Sequence, residues 1–572
     1  MYNVLIIGGM AAGCKTAARL SRLSSNYNIT IIEKGAFISF SSCGMPYYAA
    51  GEINELSDLY KTPYGIVRDE NFFRDVKGVK VLIKTEVEEI CIEKNTVKCN
   101  DIDKNEKFEL QYDYLILATG AESIKPPFPF PKSPLISSFH NPLDSKYFRQ
   151  AAQKGEIEKA VIIGGGFIGC EMIEALNSLW GIEAFLIEKE KYLLSAILDP
   201  EISGFVERCV TSDKIHLYRS KEVKKIEING DEKPVVYLDD GQQIITDYVI
   251  YCLGVKPNSK LAQKSNIKVG KLGGILVDEQ MRTSISNIWA AGDCVEIKNL
   301  VTSQSDYFPL GSLSNRMGRV AADSIASVSN KMNQLPFKGA VGTVSLKLFD
   351  NIICTTGLTE NNAKKLGYKT GSVIGCWYDR PDYYPEVKNL LGKLIYDKHE
   401  HKLLGLQLVG EGEVTRYIDV FSELLIQNKK VEDLINIEHG YTPAHSSPIS
   451  PLNYLGYMAI NQEQDNIKNC SPLELNLFEG IFIDVRESDE VEALVFPEKS
   501  IRIPLPNIRQ SLDKFDLNQP IMFVCEKGTR AYEAARMFMN HGYKNISYLG
   551  GGNLLYNKIS EYYGCTEKNY EY

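Results

Sequence analysis

The chain has 572 residues, more than a single hydrophobic core usually serves, so its length predicts about three to five domains. Hydrophobic residues at 44% and charged residues at 24% are typical of ordered globular proteins and argue against disorder. The net charge of −9 indicates no basic surface for nucleic acid or anionic lipid, and we expect neither partner.

Two further features concern location and redox state. The apolar run at 4–7 has no basic leader before it, and no stretch approaches the ~18–20 apolar residues of a membrane span, so we expect a soluble cytoplasmic protein. The 13 cysteines are odd in number and include no Cys-x-x-Cys pair, which argues against a disulfide framework and against a metal site. We therefore expect most of them to be buried, reduced thiols.

The N-terminus has the pattern of a dinucleotide-binding unit, with a strand at 2–7, a glycine-rich turn and a helix from Cys14. The turn residues, which would carry a pyrophosphate at the helix N-terminus, are Gly8, Gly9, Met10, Ala11, Ala12 and Gly13. Glu33 ends the next strand, 20 residues after Gly13, where its carboxylate can accept hydrogen bonds from a ribose. Because Met10 replaces the middle glycine of the usual pattern, this turn alone is weak evidence.

A second unit of the same kind begins with the strand at 160–163 and leads into a helix from Cys170. Its glycine turn is complete and contains Gly164, Gly166, Phe167, Ile168 and Gly169. Glu188 ends the following strand, 19 positions after Gly169, which suits the free 2′-hydroxyl of NADH. Lys189 and Lys191 lie nearby and leave NADPH open.

Two later strands lie where a protein with two dinucleotide-binding sites would have them along its chain. The strand at 114–117 runs into Ala118, Thr119 and Gly120, and a strand at 287–291 runs into Gly292 and Asp293. The pattern is similar to flavoproteins in which the first element closes the flavin domain and the Asp binds the ribityl chain. We therefore expect FAD in the first unit and a nicotinamide nucleotide in the second.

A single cysteine, Cys43, lies between these units in the segment Ser39-Phe40-Ser41-Ser42-Cys43-Gly44-Met45-Pro46-Tyr47-Tyr48. With it, the chain resembles the single-cysteine branch of the pyridine nucleotide–disulfide oxidoreductases across nearly its whole length. The likeness is greatest to the coenzyme A disulfide reductases and their rhodanese-fused relatives. Members with an internal disulfide carry a second cysteine after four intervening residues, and that position is Tyr48 here. The resemblance therefore implies that Cys43 acts alone.

The resemblance also implies an α/β fold class: two Rossmann-like dinucleotide-binding domains, an α+β dimerisation domain and a C-terminal α/β rhodanese domain. We expect the FAD-binding domain at 1–112 and 246–328 and the NAD(H)-binding domain at 113–245. The interface domain would follow at 329–458, a linker at 459–470 and the rhodanese domain at 471–572. Further nucleotide contacts are expected at Lys34, Ser42, Val87 and Gly254, and Glu171 would face the nicotinamide.

The interface domain of this family forms a homodimer and supplies two tyrosines to the thiol site, which correspond to Tyr383 and Tyr441. A phenol there could give a proton to a departing thiolate. Arg19 and Arg22, three positions apart on the first helix, could hold the phosphates of coenzyme A, with Ser39 as a further substrate contact. The family's Asn before the nucleophile is Ser42 here, and its Lys after the second tyrosine is Ile449. Fewer residues therefore match the family at its coenzyme A contacts than around the thiol. Coenzyme A is nevertheless a candidate ligand.

The C-terminal segment resembles a rhodanese domain, with Cys525 at the end of an apolar strand and Arg530 after four intervening residues. Related phosphatases have five residues in that loop, so its length favours sulfur transfer. Successive backbone N–H groups of the loop can converge on the Cys525 sulfur and stabilise a thiolate or persulfide.

Together these features predict a FAD-dependent NAD(P)H reductase that cleaves small disulfides, persulfides or polysulfide at Cys43, with Cys525 carrying sulfane sulfur. Two alternatives stay open. One is an NADH oxidase or peroxidase acting through a Cys43 sulfenic acid, against which stands Met10, where peroxidases have a His. The other is a sulfurtransferase whose flavin part is regulatory, against which stands the intact Cys43 segment.

Overall fold

The structure is a computed structural model that describes residues 1–329, 335–493 and 500–559. It divides into two compact units. The first unit comprises Met1–Ile187 and Lys221–Ala340, and the second comprises Glu188–Ser220 and Val341–Tyr572. Within the described ranges, no helix combines the length and apolar character needed to cross a membrane.

A five-stranded parallel sheet forms the core of the N-terminal dinucleotide fold. Its central strand, Tyr2–Ile7, pairs on one side with Tyr27–Ile32 and on the other with Tyr114–Leu117. Strands Lys80–Leu82 and Ile288–Ala290 complete the two edges. The strands are rich in buried Ile, Leu and Val, as expected for a parallel sheet covered on both faces. The predicted first dinucleotide fold is therefore confirmed.

The second glycine turn belongs to a second parallel sheet in the same unit. Strand Lys159–Ile163 lies between Glu183–Glu188 and Tyr248–Tyr251, and Ile136–Ser137 pairs beyond the latter. The helix after this turn is Phe167–Ser178, and the helix after the first turn is Ala11–Leu23. Both helices begin three residues before the predicted Cys14 and Cys170, because the last residues of each motif already form the first helical turn.

The other elements of the first unit comprise helices and short strands around these sheets. The helices are Ser42–Gly44, Met45–Ala50, Leu56–Tyr60, Glu70–Lys77, Pro142–Gln153, Lys260–Lys264 and Gly311–Ser329. The strands are Thr85–Cys91, Thr96–Asp101, Glu106–Gln111, Ala121–Ser123, Val223–Ile228, Pro234–Leu238, Gln243–Ile245, Val255–Pro257, Ile275–Leu276, Val295–Lys298 and Ser305–Asp306.

The second unit contains an antiparallel and a parallel sheet. The antiparallel sheet has the order Val344–Leu348, Asn351–Gly357, Leu403–Gly410, Asn389–Asp397, Thr370–Tyr378. The parallel sheet has the order Lys468–Cys470, Ile546–Leu549, Ile521–Val524, Ile481–Asp484, Ile501–Arg502. The remaining strand is Ile215–Arg219, and the helices are Pro200–Cys209, Glu360–Lys365, Thr415–Ile426, Val431–Leu434, Pro451–Asp465, Pro472–Leu477, Ser488–Ala493, Leu505–Ser511, Thr529–Asn540 and Gly552–Ile559.

The segment predicted as a linker, 459–470, is ordered secondary structure. Helix Pro451–Asp465 continues through its first half, and strand Lys468–Cys470 joins the parallel sheet. The Asn469 amide accepts a hydrogen bond from Ile374 N–H at 2.8 Å and donates one to Ile374 C=O at 3.1 Å. One of the polar residues that indicated a linker, Asn469, therefore pairs with backbone N–H and C=O groups at the edge of strand Thr370–Tyr378.

A buried lysine holds three carboxylates together in the second unit. Lys393 is 2% exposed, and its Nζ lies 2.9 Å from Glu201 Oε2, 2.9 Å from Glu360 Oε2 and 3.5 Å from Asp199 Oδ2. The ammonium thus joins the 188–220 segment to the antiparallel sheet. Removing only the cation would leave uncompensated negative charges in a site without water.

We expect Lys393→Met to lower the free energy of unfolding by about 3–5 kcal/mol, because it breaks a buried ion network from one side. Denaturant unfolding followed by circular dichroism measures the change. Lys364→Met is the matched control, since Lys364 also contacts Glu360, at 2.5 Å, but its side chain is 60% exposed. It should cost less than about 1 kcal/mol. Equal losses in the two variants would contradict this view of the network.

Candidate active site

The first glycine turn forces two backbone segments into close contact. Gly8 has φ +108°, and a Cβ placed there would lie 2.0 Å from the Ala118 carbonyl oxygen. Gly8 N–H donates to Ile32 C=O at 2.8 Å, and Ala118 N–H donates to Ile7 C=O at 2.8 Å. Only glycine fits at this position, both for its left-handed backbone and for the missing side chain.

The backbone groups of the next residue, Gly9, link the turn to Glu33 and to the segment that contains Cys43. Gly9 N–H donates to Glu33 Oε2 at 2.7 Å. Gly9 C=O accepts from Ser39 N–H at 2.7 Å and from Cys14 Sγ at 2.9 Å. Ser39 has φ +53°, an uncommon value for a residue with a side chain. The residues that precede Cys43 are therefore held against the glycine turn.

The segments around Thr119 and Asp293, which are predicted to complete this fold, are also held by hydrogen bonds. Thr119 Oγ1 donates to Asn258 C=O at 2.6 Å, and Gly120 C=O accepts from Asn258 N–H at 2.9 Å. Asp293 Oδ1 accepts from Ser314 Oγ at 2.6 Å, and burial raises the pKa of this carboxyl. Sequence reasoning missed Ser314, because nothing in the spacing of 21 residues links it to Asp293.

The residues present fit a flavin dinucleotide. The N-terminus of helix Ala11–Leu23 has no side-chain cap, so its N–H groups are open to an anion. No side chain or backbone atom lies within 4 Å of the Cβ position of Gly120. In the described part of the chain the buried Tyr307 hydroxyl has no hydrogen-bond partner. Burial raises the pKa of Tyr307, and the Asp293 charge adds to this effect. These are the open groups that a bound nucleotide would satisfy.

The second glycine turn repeats the first in detail. Gly164 has φ +106°, and its Cβ would lie 2.4 Å from Cys252 C=O, while the Cβ position of Gly166 is open. Gly164 N–H donates to Ile187 C=O at 2.8 Å, and the next residue, Glu188, accepts a hydrogen bond from Glu190 N–H at 2.8 Å. The open Cβ position of Gly166 at this turn fits a second dinucleotide.

Cys43 lies in a short 3₁₀ turn, Ser42–Gly44, that leads directly into helix Met45–Ala50. It is the only cysteine among the described residues that is exposed, and it is unpaired. The surrounding protein raises the pKa of the Cys43 thiol by desolvation, and the charges of Glu171 and Asp293 raise it further. The Cys43 thiol is therefore exposed and lies close to two negative charges.

Glu171 lies on helix Phe167–Ser178 and connects the second dinucleotide site to Cys43 electrostatically. Burial, with a contribution from the charge of Glu174, raises the pKa of Glu171 to about 7. Burial raises the pKa of Cys252, which follows strand Tyr248–Tyr251, and the Glu171 charge raises it further. The charge of Glu171 therefore depends on pH close to neutrality.

The other residues of the first unit that are predicted to contact a nucleotide or substrate lie at separate positions. The Arg19 guanidinium is paired with Asp323, Nε to Oδ1 at 2.7 Å, whereas Arg22 is exposed. Lys34 pairs with Glu86 at 2.7 Å on the surface. Val87 lies at a β-bulge of strand Thr85–Cys91, and Gly254 is exposed. Arg19 is therefore not free for a phosphate unless it leaves Asp323.

In the second unit, the structure brings Tyr383 and Tyr441 together. The two side chains are hydrogen bonded to each other, and this bond raises the pKa of Tyr383. They are 72% and 48% exposed, which is high for a pair of large rings. The Tyr383–Tyr441 pair is therefore an exposed phenol pair on the interface domain.

The Cys525 loop forms a compact cradle around the sulfur. Gly528 N–H and Ala531 N–H point to Cys525 Sγ at 3.1 and 3.4 Å. Burial raises the pKa of the thiol, while N–H donors from Ala531, Gly528 and Lys527 act in the opposite direction. Cys525 is only 1% exposed. Very little of the Cys525 sulfur is therefore open to solvent in this structure.

Arg530 does not point into this cradle as a free cation. Its guanidinium pairs with both carboxylate oxygens of Glu490, at 2.5 and 2.7 Å. The hydrogen bond from Arg530 lowers the pKa of Glu490 to about 2. Sequence reasoning missed Glu490, which lies 40 residues before Arg530 on helix Ser488–Ala493.

Family matches agree with this arrangement. Residues 2–309 match the pyridine nucleotide-disulphide oxidoreductase family, 344–450 its dimerisation domain, and 465–558 the rhodanese-like domain. The chain belongs to the pyridine nucleotide-disulphide oxidoreductase family, with a rhodanese-like domain at its C-terminus, and it is a FAD-dependent NAD(P)H oxidoreductase.

Several known proteins are similar over most of the chain. A solved NAD-dependent persulfide reductase from A. fulgidus is 34% identical with a TM-score of 0.91, covering 97% of this chain and 100% of its own. A protein named NADH oxidase from Methanocaldococcus jannaschii is 33% identical over 79% of this chain and 97% of its own length. A protein named NAD(P)H sulfur oxidoreductase (CoA-dependent) from Pyrococcus abyssi is 30% identical over 79% of this chain and 96% of its own.

The surroundings of Cys43 predict how its reactivity depends on pH. Because the pKa of the thiol is raised, alkylation of Cys43 by iodoacetamide should be slow at neutral pH and should accelerate as pH rises through and above 9. Glu171→Gln removes one negative charge, so the midpoint of this acceleration should move to lower pH. Peptide mass mapping of the alkylated protein measures the rate.

Glu174→Gln is the matched control on the same helix, because Glu174 is not among the charges that shift Cys43 most. Its midpoint should stay close to that of the unsubstituted protein. If Glu171→Gln left the Cys43 profile unchanged, the electrostatic link between the two residues would be wrong.

Proposed function

We propose that this protein reduces sulfur–sulfur bonds in small persulfides or disulfides with electrons from NAD(P)H, using Cys43 as its only redox-active thiol at the flavin. One observation carries the proposal. Among the described cysteines only Cys43 is exposed, and it begins a helix beside the glycine turn with no second cysteine in its segment. A lone thiol in that place can open a sulfur–sulfur bond and must be regenerated by electrons rather than by a neighbouring thiol.

In the proposed reaction, the Cys43 thiolate attacks one sulfur of the substrate. The other sulfur leaves as a thiolate or as hydrosulfide and takes up a proton, and Cys43 is left in a mixed disulfide or persulfide. The chemistry that FAD supplies when bound is the passage of two electrons from NAD(P)H to this sulfur. Cys43 then returns to its thiolate, and the second half of the substrate leaves as a thiol from the mixed disulfide or as hydrosulfide from the persulfide.

The nucleotides would be held by the two glycine turns and their partner elements. For FAD we propose the first turn, Gly8 to Gly13, with Glu33, the segment Ala118 to Gly120, and Asp293 oriented by Ser314. For the nicotinamide nucleotide we propose the second turn, Gly164 to Gly169, with Glu171 and Glu188. An acidic residue at the ribose favours NADH, because it would repel the 2′-phosphate of NADPH.

We further propose a homodimer formed through the dimerisation domain. Its match at 344–450 contains both Tyr383 and Tyr441. A face that leaves two phenols largely exposed is suited to burial against a second copy of the chain. In that setting the pair would donate the proton that the departing thiolate needs.

For Cys525 we propose the transport of sulfane sulfur to or from the reductase. The N–H groups of Gly528 and Ala531 are placed to stabilise negative charge on a Cys525 persulfide. Arg530, fixed by Glu490, would keep the loop closed. The name of the Pyrococcus abyssi relative supports a coenzyme A carrier. Against it stand three features of this chain: two family contacts are replaced by Ser42 and Ile449, and Arg19 is already paired with Asp323.

NADH oxidation by oxygen or peroxide is the second candidate, and the Methanocaldococcus jannaschii relative is named NADH oxidase. Such a reaction needs a proton donor at a Cys43 sulfenic acid. Met10, at the start of the first helix, is 37% exposed and has no proton to give. Sulfur–sulfur cleavage therefore remains the better supported function.

Anaerobic NADH oxidation tests the proposal. Cys43→Ser should lower kcat/KM with coenzyme A disulfide or a low-molecular-weight persulfide by at least about 1000-fold, because the nucleophile is lost. Cys525→Ser should retain reduction of the disulfide. Cys91→Ser, at a half-buried thiol of the same unit, should behave like the unsubstituted protein. Turnover of both substrates by Cys43→Ser at the unsubstituted rate would refute the proposal.

A further inference from the structure

The Cys525 loop carries a charged side chain for which the sulfur chemistry described so far has no use. Lys527 follows Cys525 by two residues, and its Nζ is buried without a hydrogen-bond acceptor among the residues that the structure describes. A lysine ammonium removed from water with no partner is costly. Its position therefore requires another source of stabilisation.

That source is an aromatic ring from the antiparallel sheet. The Lys527 Nζ lies over the Tyr378 ring, 2.9 Å from its centroid. Tyr378 is the last residue of the edge strand Thr370–Tyr378. A cation over an aromatic face is attracted by the ring quadrupole, and this attraction is strongest where water is excluded.

The backbone on either side of Lys527 is the part of the loop that touches the sulfur. The N–H groups of Lys527 and Gly528 are among the donors that lower the pKa of Cys525. Asn553 N–H donates to Cys525 C=O at 2.8 Å, and Leu554 N–H donates to Glu526 C=O at 2.9 Å, so the Glu526–Lys527 peptide, which carries the Lys527 N–H, is held through its carbonyl. The next peptide, Lys527–Gly528, carries the Gly528 N–H, and the Lys527 side chain on the Tyr378 ring holds the residue from which that peptide starts.

The two sheets meet along the same strand. Asn469 bonds both backbone groups of Ile374, and a Cβ on Gly551 would lie 3.5 Å from the Ile374 side chain. Ile374, Cys376 and Tyr378 alternate along the strand and so share one face. Lys527 also lowers the pKa of Cys376, against a larger effect of burial, which places its charge near this face.

We propose that Tyr378 is a positioning residue for sulfur transfer: its ring holds the Lys527 ammonium and so keeps the N–H groups of the loop directed at the Cys525 sulfur. The inference rests on the proposed role of Cys525 as a sulfur carrier. It adds that the rhodanese-like domain depends on an aromatic residue of the interface domain. The reduction of disulfides at Cys43 does not involve this contact.

Transfer of sulfur from thiosulfate to cyanide by the full-length holoenzyme is the first readout. In this assay Cys525 attacks the outer sulfur of thiosulfate and sulfite leaves. Cyanide then removes that sulfur as thiocyanate and restores the thiolate. Tyr378→Leu, which removes the ring, should lower kcat about tenfold, since the loss of an oriented donor to an anion has effects of this order or larger. Tyr378→Phe, which keeps the ring, should retain the rate.

Lys527 offers a second pair of variants. Lys527→Met keeps the length of the side chain without its charge and should act like Tyr378→Leu. Lys527→Arg keeps a cation that binds aromatic faces and should act like Tyr378→Phe. NADH-dependent disulfide reduction should be unchanged in all four variants.

The pH dependence of Cys525 alkylation is the second readout, and it requires no sulfur-transfer activity. Loss of the aligned N–H donors should move the alkylation midpoint to higher pH in Tyr378→Leu and Lys527→Met. A loop that merely became looser would react faster at every pH with the same midpoint. Peptide mapping separates Cys525 from the neighbouring thiol Cys376.

The outcomes separate two failures. If Cys525→Ser transferred sulfur normally, the proposed role of Cys525 would be wrong, while the midpoint shift would still test the link to Tyr378. If Cys525→Ser were inactive but Tyr378→Leu matched Tyr378→Phe in rate and midpoint, the positioning role would be overturned and the function of Cys525 would stand.

Discussion

The candidate active site depends on the two backbone groups of one residue, Gly9. Its N–H holds the Glu33 carboxylate, and its C=O holds the backbone of Ser39, four residues before the thiol. The preceding residue, Gly8, makes this possible because it lets the turn approach Ala118 more closely than any side chain would allow. A proposed ribose contact, the pyrophosphate cradle and the thiol segment are thus fixed to the same short stretch of backbone.

The two reactive thiols are placed in opposite environments. Cys43 is exposed, and the charges of Glu171 and Asp293 disfavour its thiolate after desolvation. Cys525 is almost fully buried, and backbone N–H groups favour its thiolate against burial. The first arrangement leaves the thiol open to solvent, whereas the second encloses the sulfur among N–H donors that stabilise an anion. This difference suits a substrate-cleaving thiol and a carrier thiol respectively.

The sequence predicts the parts of the fold that depend on local pattern. Both glycine turns, their strands and the strand before Cys525 are recognisable, because short apolar runs beside glycine are a local signal. The starts of the helices at Ala11 and Phe167 were placed three residues late, since Met, Ala and Phe in the motif do not distinguish a turn from a first helical turn. The polar composition of 459–470 predicts a linker, whereas its residues include the end of a helix and a short strand, which composition alone does not reveal.

Contacts between distant residues could not be predicted in this way. Arg19 with Asp323 and Tyr378 with Lys527 join positions that no periodicity relates. Such pairs form only when the packing of whole elements is known, and they change what the site residues can do. Arg19 is engaged by a carboxylate, and the Cys525 loop is anchored to another domain.

The most direct test of the central claim is the covalent state of Cys43. Mass spectrometry of the oxidised holoenzyme, incubated without NADH with a low-molecular-weight persulfide or disulfide, should find the added sulfur group on the Cys43 peptide. Addition of NADH should then remove it. If the group were found only on other cysteines, or if it stayed on Cys43 after NADH was added, Cys43 would not be the thiol that performs the reduction.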